Sequence, residues 1–579
     1  MAVASKAQID PGSLIAYGTV AAVLVYVLVL PLVRFAFRPY ASTARALQGP
    51  PIRHWLAGSW SADVYTNGRV AHEVQQAVDD YGPVCAVTTL GRKTTIILGD
   101  HKAANKVFLQ TPYARSQLRV SILRRHVGRG LLTEEGETHR RQRKVANPAF
   151  TANAVLDMGP IFQEKTALFM DRLHRHVAAD GANAAKFGTL KNIAHDFQKV
   201  TLDIIGKAGF GYEFNSLTNE GETTALQEVI TASMGLVSTG TLYSALRIFL
   251  DRPVTALGRI LRVKEQVELD QHWKSMEKLC LDIVQRAKED AQREDSSTTA
   301  RDVLSLMVRS NVSPDVKPSQ RMSIAELMHT IPVLLAAGHE TTSSTLSFVC
   351  HELFKDANGA RVQQRIRSEL QQDAGAAAQG WVEDAAQLNS LPYLEAVVRE
   401  TLRLCGPIRR MSRDAPCDDV IPISQPITLR DGTKTDRIRV SKGQGIEFPV
   451  QYMNTCEELW GPDGKVFRPE RWLSEGHKYH DGSNDMDPSV NELKGVYSHL
   501  LTFGAGSQMC IGYRLAILEM KYILASLLSS YELLPPNLPG EPPVQMGYLT
   551  PITAYPVVQG EEAKGPAMPL RLRPIAASA

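Results

Sequence analysis

The chain has 579 residues, 44% of them hydrophobic, which is enough for a large core and for more than one domain. Its 64 basic and 61 acidic residues leave a formal net charge of +3, without the strong basic excess of a dedicated nucleic-acid binder. The seven cysteines (Cys85, Cys280, Cys350, Cys405, Cys417, Cys456 and Cys510) form no CxxC pair, which argues against a zinc ribbon or thioredoxin-like motif and fits a reducing compartment.

From Pro11 to Val33 no residue is charged, and Leu14–Val33 reads LIAYGTVAAVLVYVLVLPLV. As a helix rising about 1.5 Å per residue this stretch covers roughly 30 Å, the thickness of a bilayer core. Lys6 and Asp10 precede it, and Arg34, Arg38 and Arg45 follow at once, so the positive-inside bias puts the bulk of the chain on the cytoplasmic face. Residues 1–38 are therefore expected to be a single-pass anchor with its helix at about 14–33. A cleaved signal peptide would have a shorter apolar region and a small-residue site just beyond it, whereas Ala44-Arg45-Ala46 lies far downstream and carries a charge. A buried core helix would be unusual in this terminal position. Pro39 and Gly49-Pro50-Pro51 mark a stiff hinge over 39–55, ahead of a catalytic body at 56–579.

In the body, Val84–Leu90, Thr94–Leu98 and Arg437–Val440 read as strands. Gly136–Lys144 is a basic helical segment on which His139 and Arg143, four apart, share a face. Ser323–Leu353 reads as one long helix opened by a capping box of Ser323 and Glu326. Leu391–Leu404 and Gly512–Ser529 are also helical, the latter with Leu515, Leu518, Tyr522 and Ala525 on one face. Polar stretches at Glu289–Ala300, Asp373–Gly380 and Ser474–Glu492 read as surface loops, and Pro535–Pro543 as a Pro-rich connector. The class is mainly α with a minor β-sheet.

Three patterns inside these elements carry chemistry. Phe503-Gly504-Ala505-Gly506-Ser507-Gln508-Met509-Cys510-Ile511-Gly512 leads straight into a helix. Unpaired N–H groups and the positive end of the helix dipole lower a thiol's pKa there, favouring the metal-binding thiolate. The glycines at 504, 506 and 512 suit tight turns and close approach of a flat cofactor. Ala337-Gly338-His339-Glu340-Thr341-Thr342 places a mid-helix glycine, costing about 1 kcal/mol relative to Ala, beside two threonines that compete for backbone carbonyls. A local cost of this kind marks a candidate site, although Pro332 could kink the helix by itself. Glu400 and Arg403, three apart, can pair on one helix face.

Taken together, these motifs resemble the cytochrome P450 family. Phe503, Gly506, Cys510 and Gly512 match its haem-binding signature F-x-x-G-x-R-x-C-x-G, with Gln508 where the family usually has Arg, and Ala516 and Glu519 continue the match. Ala337–Thr341 fits A/G-G-x-D/E-T, Glu400–Arg403 fits E-x-x-R, and Phe467-Arg468-Pro469-Glu470-Arg471-Trp472 holds the P-E-R motif. His139 stands at the Trp position of W-x-x-x-R, with Arg143 at the Arg.

The resemblance covers nearly the whole chain after the hinge and implies a cytochrome P450 fold behind one transmembrane helix. It implies haem b with Cys510 as its axial thiolate, held also by Phe503, Gly506, Gln508 and Gly512. His139 and Arg143 would bond the propionates, and His139, if protonated, would offset the charge missing at Gln508. Gly338 would open space above the cofactor, Thr341 would donate a hydrogen bond to dioxygen, and Glu340 would relay protons, with His139's neighbours Arg140, Arg141 and Lys144 facing outward. His339 reads as a polar helix residue rather than a ligand. Glu400, Arg403 and Arg471 would form a buried structural network.

The implied activity is a monooxygenase acting on a hydrophobic small molecule with O2 and electrons from an NADPH-cytochrome P450 reductase. Its implied location is the endoplasmic reticulum membrane, with the catalytic domain cytosolic and the N-terminal helix in lipid. The wording AGHETT with THRRQRKVANPAF resembles fungal members, many of which serve secondary metabolism with terpenoid substrates; a fatty acid or alkane hydroxylase is an equal alternative. A haem-thiolate isomerase would often lack the acid–Thr pair, and a non-enzymatic haem-binding protein would show no reductase-dependent NADPH oxidation. Tyr113–Val127 and Leu334–Gly338 are the expected substrate contacts. Asn311-Val312-Ser313 is a formal glycosylation sequence on the cytosolic side of this topology.

Overall fold

The computed structural model describes residues 26, 30–37, 42–110, 113–218, 264–292, 302–314, 316–373, 384–482 and 486–575. The elements that frame the site are, in chain order, α1 (Leu30–Phe37), β1 (Val84–Thr89), β2 (Lys93–Leu98), β3 (Ala114–Arg115), α2 (Gln117–Val127), α3 (Gly136–Ala146) and α4 (Ala194–Phe210). They continue with α5 (Ile324–Met328), α6 (Thr330–Phe354), α7 (Pro392–Cys405), β4 (Met411–Asp414), β5 (Gly445–Phe448), β6 (Leu500–Ala505) and α8 (Tyr513–Ser530). Helices dominate, as expected, and bury one large apolar core among themselves; a smaller core lies beneath a five-stranded sheet.

That sheet runs β1-β2-β5-β4-β3, with β2 parallel to β5 and the other pairs antiparallel. The expected strand at Arg437–Val440 belongs to Lys434–Val440, which forms a separate hairpin with Asp419–Thr428. The expected loop at Ser474–Glu492 closes with a short 3-10 helix, Pro488–Glu492.

The single helix expected over Ser323–Leu353 is two. The capping box forms, Ser323 Oγ accepting from the Glu326 N–H and Glu326 from the Ser323 N–H, but α5 ends at Met328, with His329 as its cap. Pro332 has no N–H to give the Met328 carbonyl, so the ladder breaks there, and Pro332 becomes an ordinary first-turn residue of α6. Within α6 the buried hydroxyls bond backward along the helix, Thr345 to the Thr341 carbonyl at 2.8 Å and Ser347 to the Ser343 carbonyl at 2.9 Å. The polar run Thr342–Ser347 is thereby buried without stranded donors at these two positions.

Most of the expected span at 14–33 lies outside the described residues. Among the described residues no helix is long and apolar enough to cross a membrane. Of the segment expected as a stiff hinge at 39–55, the residues from 42 onward pack on the body. Backbone bonds from Ala86 to Gln48 (2.8 Å) and from Ser59 to Thr88 (2.7 Å) lay this segment on β1, and Arg430 donates to the Leu47 and Gly49 carbonyls. Arg92, at the β1–β2 turn with φ 57°, donates Nε and Nη2 to the Ala36 carbonyl of α1 (3.2 and 3.0 Å) and Nη1 to the Trp55 carbonyl (2.8 Å).

Asn311 is unavailable for glycosylation in this fold. It is buried, with Nδ2 donating to the Met322 carbonyl (3.0 Å) and Oδ1 accepting from the Met322 N–H (2.6 Å).

Candidate active site

Cys510 sits in a loop wound between β6 and α8. Its N–H donates to the Phe503 carbonyl at 2.8 Å, and Met509 closes a turn on Gly506 at 3.2 Å. Gly504 and Gly506 have φ of 72° and 68°, the left-handed region that glycine enters freely. At Gly506 a Cβ would lie 2.3 Å from the Phe108 carbonyl oxygen, so no side chain fits. Gly512 differs from expectation: its φ is −90° and a Cβ there would make only ordinary contact with Phe150. The Phe503 ring packs between Tyr497 and Tyr513, with centroids 5.9 and 6.0 Å away.

The Cys510 side chain is enclosed by the fold enough for burial to dominate its proton affinity, yet its surface is exposed, so it opens on an interior space. The lowered thiol pKa expected from the helix terminus is corrected. Burial raises it, and the Gly512 N–H and Arg143 pull the other way without offsetting that. A metal's own charge is then what would hold the sulfur as thiolate.

Around this loop the fold gathers cations. Arg143 donates Nη1 to the Met509 carbonyl at 2.7 Å. Arg115 on β3 pairs in register with Arg413 on β4, a like-charge cross-strand pair that is unfavourable without an anion. The Arg413 guanidinium lies 4.6 Å from the Phe108 ring centroid, and burial and then Arg115 push its pKa down to about 9. His139 is buried, its Nε2 has no hydrogen-bond partner, and burial followed by Arg115 and Arg143 pushes it down to about 4. These surroundings favour the neutral imidazole over the charged form that would offset the charge missing at Gln508. Gln508 itself donates Nε2 to Glu135 Oε2 at 2.6 Å, and Glu135 also pairs with Arg115 at 3.2 Å. An orphaned imidazole nitrogen among guanidiniums fits a dianionic ligand such as the two propionates of haem.

The basic helix α3 is not wholly outward-facing. Arg140 and Lys144 are exposed, but Arg141 is spent on Glu326 of α5 and on the Arg321 carbonyl at 2.7 Å.

On α6, Leu334, Ala337 and Thr341 share one face, and Ala337 is exposed although the helix is walled in on both sides of it. The Thr341 hydroxyl donates back to the Ala337 carbonyl at 2.6 Å. Burial pushes Glu340 up to about 7, so it can hold or release a proton near neutrality. The space expected above Gly338 is corrected: a Cβ there would come within 2.8 Å of Ile205 on α4, so this glycine serves close helix packing. His339 also faces α4, bonded to the Gln198 backbone and pushed down to about 4 by burial. It is no ligand to the site.

A family model for cytochrome P450 matches residues 48–557. This chain is a cytochrome P450. It is 31% identical to cytochrome P450 monooxygenase 128 of Postia placenta over 93% of this chain and 94% of that one. It is 30% identical to cytochrome P450 monooxygenase 205 of the same fungus, over 97% and 98%. It is 32% identical to cytochrome P450 monooxygenase claQ of Ampulloclitocybe clavipes, over 85% and 86%. As a member of this family the chain is a haem-thiolate oxidoreductase with iron and an axial cysteine.

In this cytochrome P450, Glu400 and Arg403 of α7 are fully buried and meet Arg471. Arg403 Nη2 lies 2.7 Å from Glu400 Oε1, Arg403 Nε donates to Oε2 at 2.9 Å, and Arg471 Nε donates to Oε1 at 3.1 Å. The network is larger than the motifs announced. The Trp472 Nε1–H and the Arg468 backbone N–H also donate to Glu400 (both 2.9 Å), and Asp463 pairs with Arg471 at 3.1 Å. Arg403 reaches the Asn454 carbonyl at 2.9 Å. The same helix ties down the strand before Cys510, since Thr502 donates to the Leu402 carbonyl (2.8 Å) and Tyr497 to Glu395 (2.6 Å), which also pairs with Lys521 of α8 at 2.7 Å.

Proposed function

We propose that this chain inserts one atom of O2 into a hydrophobic small molecule of fungal secondary metabolism, with terpenoids, fatty acids and alkanes all compatible with the site. Electrons would come from an NADPH-cytochrome P450 reductase. The observation that carries this reading is Cys510, presented by a glycine-shaped loop beside Arg143 and near the buried, guanidinium-flanked His139. Cys510 would bind the haem iron, Phe503 would pack beside the sulfur, Gly506 would let the loop turn, and Gly512 would start the helix behind it. His139, Arg143, Arg115 and Arg413 would hold the propionates, with Gln508 steadying Glu135. A haem bound through thiolate supplies dioxygen binding and O–O cleavage.

The residues on α6 manage protons. Glu340, poised near neutrality, takes protons from solvent and releases them inward. The Thr341 hydroxyl turns from Ala337 to donate into the cavity. Exposed Arg140 and Lys144 suit an acidic electron donor. Residues 1–38, with the apolar run at 14–33, would anchor the enzyme in the endoplasmic reticulum membrane and leave the body cytosolic.

Replacing Cys510→Ala is expected to abolish the red-shifted ferrous–CO Soret band; an unchanged spectrum would remove the ligand assignment. Thr341→Ala is expected to keep that band and release peroxide from NADPH turnover, so intact coupling would sink the role given to its hydroxyl.

A further inference from the structure

α4 packs along α6 and meets it at Gly338 and His339, just before the Glu340–Thr341 pair. Ile205 sits over Gly338, where a Cβ would come within 2.8 Å of it. One turn earlier on α4, Thr201 is fully buried, and its Oγ1 lies 3.2 Å from the His339 carbonyl. The His339 ring reaches the same turn of α4. It bonds the Gln198 backbone, and its Nδ1 is buried with no hydrogen-bond partner among the described residues.

A threonine inside a helix ordinarily donates to the carbonyl four residues back. Thr201 has that acceptor, the Phe197 carbonyl at 2.9 Å, and the Gln198 carbonyl lies at 3.3 Å. Its one hydroxyl hydrogen is therefore shared with an acceptor on another helix, and 3.2 Å is the long distance expected of a shared bond. In an α-helix the His339 carbonyl is also the acceptor for the Ser343 N–H, so Thr201 competes with the ladder of α6.

Three carbonyls around the acid–threonine pair take such an extra hydroxyl. Ala337 receives Thr341 at 2.6 Å, His339 receives Thr201, and Glu340 receives Ser343 at 3.2 Å. Two of these donors belong to α6 itself. Thr201 comes from a second helix, and it reaches across because residue 338 has no side chain, which gives the costly mid-helix glycine a use. The Thr341 hydroxyl has to leave the Ala337 carbonyl before it can donate into the cavity. A fully regular turn holds it there, whereas a turn drawn aside at His339 has slack.

We propose that Thr201 is a positioning residue for the oxygen chemistry: its hydroxyl draws the His339 carbonyl toward α4 and loosens the turn of α6 that carries Glu340 and Thr341. This rests on the monooxygenase reading above and adds a residue to it.

The test uses the haem-loaded full-length enzyme, with Thr201→Val to keep the shape without the donor and Thr201→Ser to keep the donor. Hydrogen–deuterium exchange over residues 338–345 reads the turn directly. Thr201→Val is expected to slow it roughly threefold or more, the scale of one hydrogen bond, as the His339 carbonyl returns to the Ser343 N–H. The infrared C–O stretch of the ferrous–CO enzyme reads a hydroxyl donating into the cavity. Thr201→Val should move that band toward its position in Thr341→Val, and Thr201→Ser should match the wild type in both measurements. Unchanged exchange in Thr201→Val overturns the proposal, and so does slowed exchange with an unmoved C–O band. A Thr201→Ser enzyme that behaves like Thr201→Val, or a Thr201→Val enzyme that only loses haem and thermal stability, assigns Thr201 to packing and overturns it as well. Failure of the parent reading looks different: no label from O2 in any product, whatever the Thr201 variants show.

Discussion

The fold treats the two sides of its site differently. Behind Cys510, Glu400 accepts from Arg403, Arg471, Trp472 and the Arg468 backbone, and Glu395 joins Tyr497 to Lys521. Charge is buried there because it is answered, and the answer binds α7, β6 and α8 into one block. In front, Arg413 and Arg119 have no carboxylate partner among the described residues, and Glu340 is buried with its proton affinity raised. The rear holds a shape by itself, while the front carries a cost that only bound groups repay. The difference separates residues whose loss unfolds the protein from residues whose loss changes its chemistry.

The largest expected effect tests the rear. Glu400→Gln leaves the buried Arg403 guanidinium without a countercharge and Arg471 with Asp463 alone, and should cost about 3–5 kcal/mol, read as a lower thermal midpoint and lost haem. A variant with wild-type stability would show that the block does not depend on this carboxylate. A smaller effect is expected at the boundary. Gly338→Ala should cost about 1–3 kcal/mol by overpacking against Ile205, and Ile205→Ala in the same chain should recover part of that. An additive double variant would mean the two do not meet.

The smallest effect tests the front. Glu340 has a folded pKa of about 7 against an ordinary 4.5, so the folded state holds its proton more tightly. Stability from this group is full below about 4.5 and is lost as pH rises through about 7. Glu340→Gln should flatten that slope in denaturant midpoints measured across this range, and an unchanged slope would place the titration elsewhere.

What could be read from the sequence follows from distance along the chain. The Cys510 loop, the Glu340–Thr341 pair and Glu400–Arg403 are each contained within one turn or helix, where spacing dictates proximity. The apposition of Arg115 and Arg413 depends on the register of two strands far apart in sequence, and the basic residues alone did not announce it. Gly338 appeared to make room because its partner, Ile205, lies on another helix. Trp472 and Asp463 escaped notice because an indole N–H and a loop carboxylate carry no periodic signal. The thiol shift at Cys510 was misjudged for a related reason: a helix terminus is visible in sequence, whereas the depth at which it is enclosed is not.

The grip of Arg92 on Ala36 has a mechanical meaning. Its turn joins β1 to β2, β2 borders β5, and β5 borders the strand that bears Arg413. The leading end of the polypeptide thus has a continuous hydrogen-bonded route, strand by strand across the sheet, to the arginine pair.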